Sequence, residues 1–497
     1  MTLSIKLDNE NPKSKSSRKS SKQSAIRPQT SIRESRLKNR LDASKKRSTT
    51  TKRRKVFSIL GVICVLGLVA GGVTYYKAQK AANEVGVNIK PTDLLHSVVS
   101  KKDPELLMDN NGRTNALIVG IDTRDHNQGL QNTDTIIVAS YNHDTNETTM
   151  ISIPRDNYVE IPDENWFVKI NGIYNLAEQR EKNSGMEALR TVAEEFTGLE
   201  IQYYGMIDIS GFKEVIDIIG GIEVNVENSF TDYAYPNDSD TGYEVVSFDA
   251  GPQTMDGDTA IKYSRSRKAQ GIEGSDFMRA RRQQKVIEAV KNKLLSAETL
   301  LNPTKFLELS DSLKSNIRLS EITLNDIEAG ISLLRKNGTE TETFSFVMDP
   351  SLGNSQLLTT GVVPNAYSVG PKLGLGNYDD LHLMIQQILK YPALYELDPN
   401  ISVYDTGAGY NETLVIVEEL EQQYPFLSII YRGTLFYDKE GTVIYNNQED
   451  AVFDSTIKRF KDSINTDSTE KPDYVTTRLN GEDITILVGK EIVVDNN

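Results

Sequence analysis

The longest uninterrupted apolar stretch is Val56–Tyr76 (VFSILGVICVLGLVAGGVTYY), which holds no charged residue. At about 1.5 Å rise per residue it matches a hydrocarbon core of about 30 Å, which predicts a single transmembrane helix over 56–76. Residues 1–55 show almost no apolar period and are rich in Ser, Thr, Asn and Gln, the pattern of a disordered tail. Residues 77–112 mix charges with short apolar runs and read as a stalk.

From Asn115 the pattern becomes globular. Asn115–Ile121 (NALIVGI), Thr135–Tyr141 and Thr148–Ile153 predict strands, the last stopped by Pro154. Helices are expected over Val168–Glu178 and Gly185–Phe196, the second closed by Gly198. A strand at Gln202–Ile209 leads to a helix with Ser210 as N-cap and Gly220-Gly221 past its end, and Ile222–Val226 returns as a strand. The polar stretch Asn228–Gly242 interrupts the pattern, and helices resume near Thr254. This order predicts an α/β domain with α/β/α layers. Residues 296–390 are less regular, with helical segments near 304–314 and 320–336 before a Gly-, Ser- and Asn-rich stretch. After Pro399 a separate α+β pattern runs from ISVYD to ITILVG, a second domain over 398–492.

Charge fixes the orientation of the span. Residues 1–55 hold 18 Lys/Arg and 4 Asp/Glu; that +14, against a total of −14, leaves −28 on the rest. Lys52, Arg53, Arg54 and Lys55 abut one end of the span and Tyr75 and Tyr76 the other. The positive-inside rule then predicts a single-pass type II protein of the cell membrane, its N-terminus cytoplasmic and its domains extracytoplasmic. A cleaved signal peptide has a short basic region, and 55 residues exceed it. The basic tail could bind nucleic acid, but the span that follows explains it otherwise, so the cytoplasmic membrane is the expected partner and no nucleic acid is.

Composition narrows the chemistry. With Cys64 alone, an intrachain disulfide, a cysteine zinc cluster and thiol catalysis are excluded. The four histidines are scattered, and no Ser-His-Asp arrangement is evident. Gly374-x-Gly376 and Gly407-x-Gly409 lack the lysine of a phosphate-binding loop and read as turns. Trp166 and the Tyr233/Tyr235 pair fit either sugar contact or packing.

Three clusters carry the candidate chemistry. Asp122 follows an apolar strand, with Arg124 behind it, and Asp134 opens the next strand. Carboxylates so placed suit a hard cation such as Mg²⁺, with Mn²⁺ as a substitute, and serve equally as turn caps. Arg155 follows Pro154 at a strand end. The third cluster holds Arg265 and Arg267, then Asp276, Arg279, Arg281 and Arg282. Arg279, Arg282, Gln283, Val286 and Val290 share one helical face whose lower half is apolar. Five guanidiniums (Arg155, Arg265, Arg267, Arg279, Arg282) in an acidic domain suit one polyanion, because the guanidinium fork matches phosphate oxygens. Structural ion pairs with Asp156, Asp276 and Glu288 are the other reading of the same residues.

In this order the motifs GIDTR (120–124), NTDT (132–135), SIPRD (152–156), KINGIYNLA (169–177), IDISGFKEVIDIIGGIEVNV (207–226), MDGDTAIKYSRSR (255–267) and SDFMRARRQQ (275–284) resemble the LytR-CpsA-Psr family of Gram-positive envelope proteins. The last hundred residues resemble the LytR C-terminal domain more loosely. The resemblance implies a three-layer α/β/α domain with a central mixed sheet over 113–390, its motifs within 113–296. It implies a phosphotransferase moving a glycopolymer, such as a teichoic acid or capsular polysaccharide, from undecaprenyl pyrophosphate to the C6 hydroxyl of N-acetylmuramic acid in peptidoglycan. The polyprenyl tail would occupy an apolar tunnel between sheet and helices. Asp122 and Asp134 would hold Mg²⁺, and one of them would take the hydroxyl proton. Arg155, Arg265, Arg267, Arg279, Arg282 and Gln283 would clamp the pyrophosphate. The chain departs from the family at Asn132-Thr133, where Arg-Ser is usual, and at Ser275 and Met278, where glycines are usual. Two other classes stay open at this point: a non-catalytic holder of polyprenyl-linked polymer, and an envelope-related transcriptional regulator.

Overall fold

The computed structural model describes residues 105–490 except 122–131, 163, 165, 238–241, 295, 297–307, 310–315, 324–325, 327–328, 331–332, 334–341, 349–356, 365–366, 437, 449–452, 467 and 476–480. The expected tail, transmembrane helix and most of the stalk lie outside the described residues, as do Asp122, Arg124 and most of the two helices expected near 304–314 and 320–336. Among the described residues no helix is long and apolar enough to cross a membrane.

The apolar runs after Arg113 form an antiparallel meander, β1 (Arg113–Ile121), β2 (Thr133–Asn142) and β3 (Thr148–Ser152). A short hairpin, β4 (Tyr158–Glu160) with β5 (Phe167–Lys169), leads into α1 (Ile173–Arg180) and α2 (Gly185–Thr197). The chain returns as β6 (Tyr203–Asp208), parallel to β1, and continues through α3 (Ile209–Ile218) to β7 (Ile222–Val226). A two-stranded ribbon of β8 (Phe230–Pro236) and β9 (Tyr243–Phe248) follows, and β10 (Gly251–Met255) pairs back onto β7. The arginine motifs sit on α4 (Gly257–Arg265) and α5 (Asp276–Leu294). β11 (Ile317–Leu319) and β12 (Thr343–Val347) complete a mixed six-stranded sheet in the order β11-β6-β1-β2-β3-β12.

Alternation along the strands explains the layers. Leu117, Val119, Ile136, Val138 and Ile151 face one core with Tyr174, Leu189, Val192 and Phe196 of α1 and α2. Ile118, Ile137, Ala139 and Met150 point the other way, against Ile287 of α5. Beyond them α3, α4 and α5 share a second core through Val215, Ile216, Ala260, Tyr263, Val286 and Val290. Each such fully buried aliphatic side chain contributes about 1.5–3 kcal/mol. Helices therefore cover both faces, as the sequence order requires.

The hairpin β13 (Leu358–Thr360) and β14 (Val369–Pro371) precedes α6 (Asp379–Lys390) and α7 (Pro392–Leu397). The remaining strands are β15 (Asn400–Asp405), β16 (Ser428–Thr434), β17 (Thr442–Asn446) and β18 (Ile484–Val488), a second sheet in the order β16-β15-β18-β17. It carries α8 (Tyr410–Gln423) and α9 (Asp454–Ser463), the α+β pattern expected after Pro399.

Four local expectations are corrected. Val168 lies in β5, and the helix expected from it starts only at Ile173, after a 3-10 turn through Ile170–Gly172. Asp208, not Ser210, caps α3, its side chain accepting from Gly211 N at 2.6 Å. The polar interruption at 228–242 contains β8, whose pattern is masked by a buried aspartate, Asp232. Thr254 belongs to a strand, and α4 begins after Asp256, whose side chain accepts from Thr259 N at 2.8 Å.

Candidate functional site

A bulge in the β1–β2 ladder builds the first wall of the site. Gly120 pairs with Thr135 and Ile121 with Thr133, so Asp134 is the extra residue on β2. Such a bulge re-aims a side chain and interrupts pairing. Gly120 relieves crowding beside it, because a Cβ there would lie 3.0 Å from Thr135 Cβ and press on that side chain. Asp134 accepts from Arg155 Nη1 at 2.7 Å. Arg155, just past β3, also lies 3.6 Å from Asp276 and 3.7 Å from Asp156. Burial alone lowers the Arg155 pKa, but Asp134, Asp276 and Asp156 outweigh it and hold the guanidinium above its ordinary value.

The second wall comes from α4 and the segment after it. Arg265 ends α4 and donates to Tyr235 Oη at 3.5 Å, its guanidinium 5.9 Å from that ring's centre. Beyond it, Asp232 of β8 organises the turn. Its Oδ2 accepts from Ser266 Oγ at 2.6 Å, Arg267 N at 3.1 Å and Lys268 N at 2.9 Å. Burial would raise this carboxyl's pKa, yet these bonds with that from Ala234 N hold it below the usual range. Arg267 is thereby fixed in backbone while its side chain stays exposed, with no ion pair among the described residues.

The third wall is the first half of α5. Arg279 is only 7% exposed, lies 3.5 Å from Asp276, and has its pKa pushed down to about 10 by burial and by the charge of Arg155. Its Nε and that of Arg155 are buried without a hydrogen-bond partner among the described residues. A buried unmet donor costs about 1–3 kcal/mol, so both favour a ligand that brings acceptor oxygens.

These walls meet around two cavities. The larger, about 300 Å³, lies between the sheet and α3–α5. Its lining joins apolar side chains, Ile118, Ile121, Ile207, Ile209, Phe212, Ile261, Val286 and Ile287, to a polar set of Arg155, Arg265, Arg267, Lys268, Arg279 and Gln283 with the carboxylates Asp134, Asp208 and Asp232. A narrower cleft of about 30 Å³ opens beside Asp156, Asp276 and Tyr367. Asp134, Arg155, Arg279 and Gln283 line both. The arrangement suits an amphipathic ligand with an apolar chain and a doubly anionic head.

The structure thus brings together Asp134, Arg155, Arg265, Arg267, Arg279 and Gln283. Arg282 is the correction. It is 2% exposed and lines neither cavity; its Nη1 donates to Glu273 Oε2 at 2.8 Å and Glu273 O at 3.1 Å, Nε to Tyr263 O at 3.0 Å, and Nη2 to Ser266 O. The guanidinium lies 4.8 Å from the Phe230 ring centre. Expected in the clamp, Arg282 instead ties down the segment that carries Arg265 and Arg267. Asp156 and Asp276 do pair with Arg155, as the ion-pair reading expected. Asp232 and Lys268 were not anticipated; an aspartate midway through a polar stretch gives no signal until β8 is recognised.

Among the described residues no three His, Cys, Asp or Glu side chains gather as a metal cluster. The donor chemistry at Asp134 nonetheless fits Mg²⁺, which takes one or two carboxylates and completes its shell with water and substrate phosphate.

The model of the LytR_cpsA_psr family matches residues 72–361, more than half of the chain. The chain is 30% identical over 279 residues to the polyisoprenyl-teichoic acid–peptidoglycan teichoic acid transferase TagU of Bacillus licheniformis, covering 56% of this chain and 80% of that protein. To the protein of the same name from Bacillus subtilis it is 30% identical over 288 residues, covering 58% and 85%. The crystal structure of B. subtilis TagU aligns at 23% identity with a TM-score of 0.39, covering 56% of this chain and 96% of that one.

Proposed function

The chain belongs to the LytR_cpsA_psr family, and from that premise we propose that it is a transferase carrying a glycopolymer from a polyprenyl-pyrophosphate carrier to peptidoglycan. The observation that carries this reading is a single cavity whose lining joins apolar side chains to a set of arginines, so that one ligand can place a lipid tail on the first and a pyrophosphate on the second. Arg155, Arg265, Arg267, Arg279 and Gln283 bind the pyrophosphate. The N-acetylmuramic acid C6 hydroxyl forms a P–O bond to the sugar-side phosphorus. The bridging P–O bond breaks, and polyprenyl monophosphate leaves. The hydroxyl proton passes to a carboxylate, Asp122 or Asp134. Such transfer needs little beyond positioning and electrostatic stabilisation. Asp134, with Asp122, would hold Mg²⁺, which when bound supplies charge neutralisation at the phosphates.

The charge-free run 56–76, flanked by Lys52–Lys55, supports a membrane anchor with residues 1–55 in the cytoplasm and the catalytic domain outside. Anchoring holds the cavity at the leaflet that contains the lipid substrate. The test incubates the full chain in detergent with a short-chain polyprenyl-pyrophosphate oligosaccharide and peptidoglycan oligomers, with and without Mg²⁺. Phosphate-linked glycan on peptidoglycan is the expected product. Lipid binding with no transfer, under conditions where a TagU enzyme works, would replace the transferase by a polymer-holding protein.

A further inference from the structure

The β8–β9 ribbon has two unlike faces. Phe230, Asp232 and Tyr235 turn inward and are buried, while Tyr233, Tyr243 and Val245 are 61%, 73% and 60% exposed. At one end of the ribbon an open groove of about 320 Å³ is lined by Ser229, Thr231, Tyr233, Ser247, Asp249 and Gln270, with the buried Phe230 and Phe248 at its base. Its size is at the lower end of ordinary ligand sites, roughly 300 Å³ upward. Thr231 Oγ1 and Ser247 Oγ lie 3.0 Å apart and share one hydrogen bond, so each keeps acceptor capacity toward a ligand.

Among the described residues no lysine or arginine lines this groove. Its hydroxyls, one carboxylate, one amide and an uncovered aromatic ring suit a neutral polyhydroxylated ligand rather than a phosphate. The groove is tied to the anion site through the chain, although the two share no lining residue. Asp232, between the groove residues Thr231 and Tyr233, holds Arg267 and Lys268 by its carboxylate and bridges Ala269 by its backbone. Gln270 is therefore three residues from Arg267, at most about 11 Å along extended chain.

We propose that this groove binds a pyranose ring of the glycan handled at the neighbouring pyrophosphate site, a reading that rests on the transferase function above. Two glycans carry such a ring: the donor polymer attached to the pyrophosphate, and the peptidoglycan acceptor.

The experiment is calorimetric titration of the full chain, Tyr233→Ala and Gln270→Ala in detergent with three probes. These are geranylgeranyl pyrophosphate, the same pyrophosphate bearing an N-acetylhexosamine disaccharide, and a free chito-oligosaccharide. Tyr233→Ala is expected to weaken a sugar-bearing probe about tenfold, the worth of one good aromatic contact, and Gln270→Ala about two- to tenfold, the worth of one hydrogen bond, and both to leave the sugar-free pyrophosphate unchanged. Loss on the disaccharide pyrophosphate assigns the groove to the donor, and loss on the chito-oligosaccharide to the acceptor. Unchanged affinity for both sugar probes overturns the groove. Failure of geranylgeranyl pyrophosphate to bind the unaltered chain overturns the transferase reading instead, and the chito-oligosaccharide still reads the groove directly.

Discussion

Arg279 and Arg282 lie three residues apart on α5, yet only Arg279 reaches the cavities, while Arg282 donates to Tyr263 O, Ser266 O and Glu273. Helical spacing put both on one apolar stripe, and the difference comes from what each guanidinium meets. Glu273 is 5% exposed and supplies Arg282 with a buried counter-charge. Arg279 faces Arg155, which repels it, and keeps an unmet donor.

This division predicts opposite phenotypes. Arg282→Ala strands the buried Glu273 carboxylate and is expected to cost about 3–5 kcal/mol of stability. Arg267→Ala removes an exposed side chain and is expected to change stability by no more than about 0.5 kcal/mol, while abolishing transfer. Urea unfolding of the two variants, beside a pyrophosphate-binding assay, checks the pair. Equal destabilisation by both would return Arg267 to the class of structural ion pairs.

The sequence made the meander and the arginine motifs readable because each follows one rule. NALIVGI and TIIVASY are continuous apolar runs, as strands covered on both faces require, and Pro154 stops the third strand. What escaped were elements defined by distant partners. β8 hides because Asp232 is buried to accept from the turn at 266–268, 34 to 36 residues away in sequence. β5 hides because three residues acquire strand geometry only by pairing with β4. The fate of Arg282 was likewise unreadable, since nothing in local spacing brings Glu273 beneath it.

Asp232 gives a prediction with a pH signature. Asp232→Asn faces its three Oδ2 donors with an amide that accepts on one side only, and is expected to cost about 2 kcal/mol. The carboxyl is held below the usual range in the fold, so its stabilisation is complete above its unfolded value, about 3.9, and is lost as pH falls through the folded one. Urea midpoints between pH 3 and 7 should therefore converge for the two proteins toward the acid end. A gap that stays constant with pH would assign the loss to packing alone.

Asp134 sits where the bulge aims it, and among the described residues its carboxylate is the nearest to Arg155. Asp134→Asn keeps the volume and removes the charge. Transfer is expected to fall at least a hundredfold, and the Mg²⁺ dependence of pyrophosphate binding to disappear. Calorimetry of geranylgeranyl pyrophosphate with and without Mg²⁺ reads the second effect independently of turnover. Retained Mg²⁺ dependence in the variant would move the metal away from Asp134.

Lys291, two turns beyond Gln284 on α5, is fully buried and donates to Thr343 Oγ1 of β12 at 2.9 Å. Burial pushes its pKa down to about 8, with Glu288 opposing the shift. Below that pH the folded protein carries a buried ammonium at a cost. Between about 8 and the unfolded value, about 10.4, the folded form has released its proton and the unfolded form has not, so stability rises with pH. Lys291→Met removes the charge and keeps an unbranched chain. It is expected to stabilise the domain by about 1–3 kcal/mol at pH 7, at 1.36 kcal/mol per unit of depressed pKa. That advantage should shrink steadily between pH 8 and 10. Urea unfolding of both proteins at pH 7, 8, 9 and 10 measures the difference directly. A destabilised variant at pH 7 would mean that the bond to Thr343 outweighs the burial of charge, and that Lys291 is held between α5 and β12 for strength.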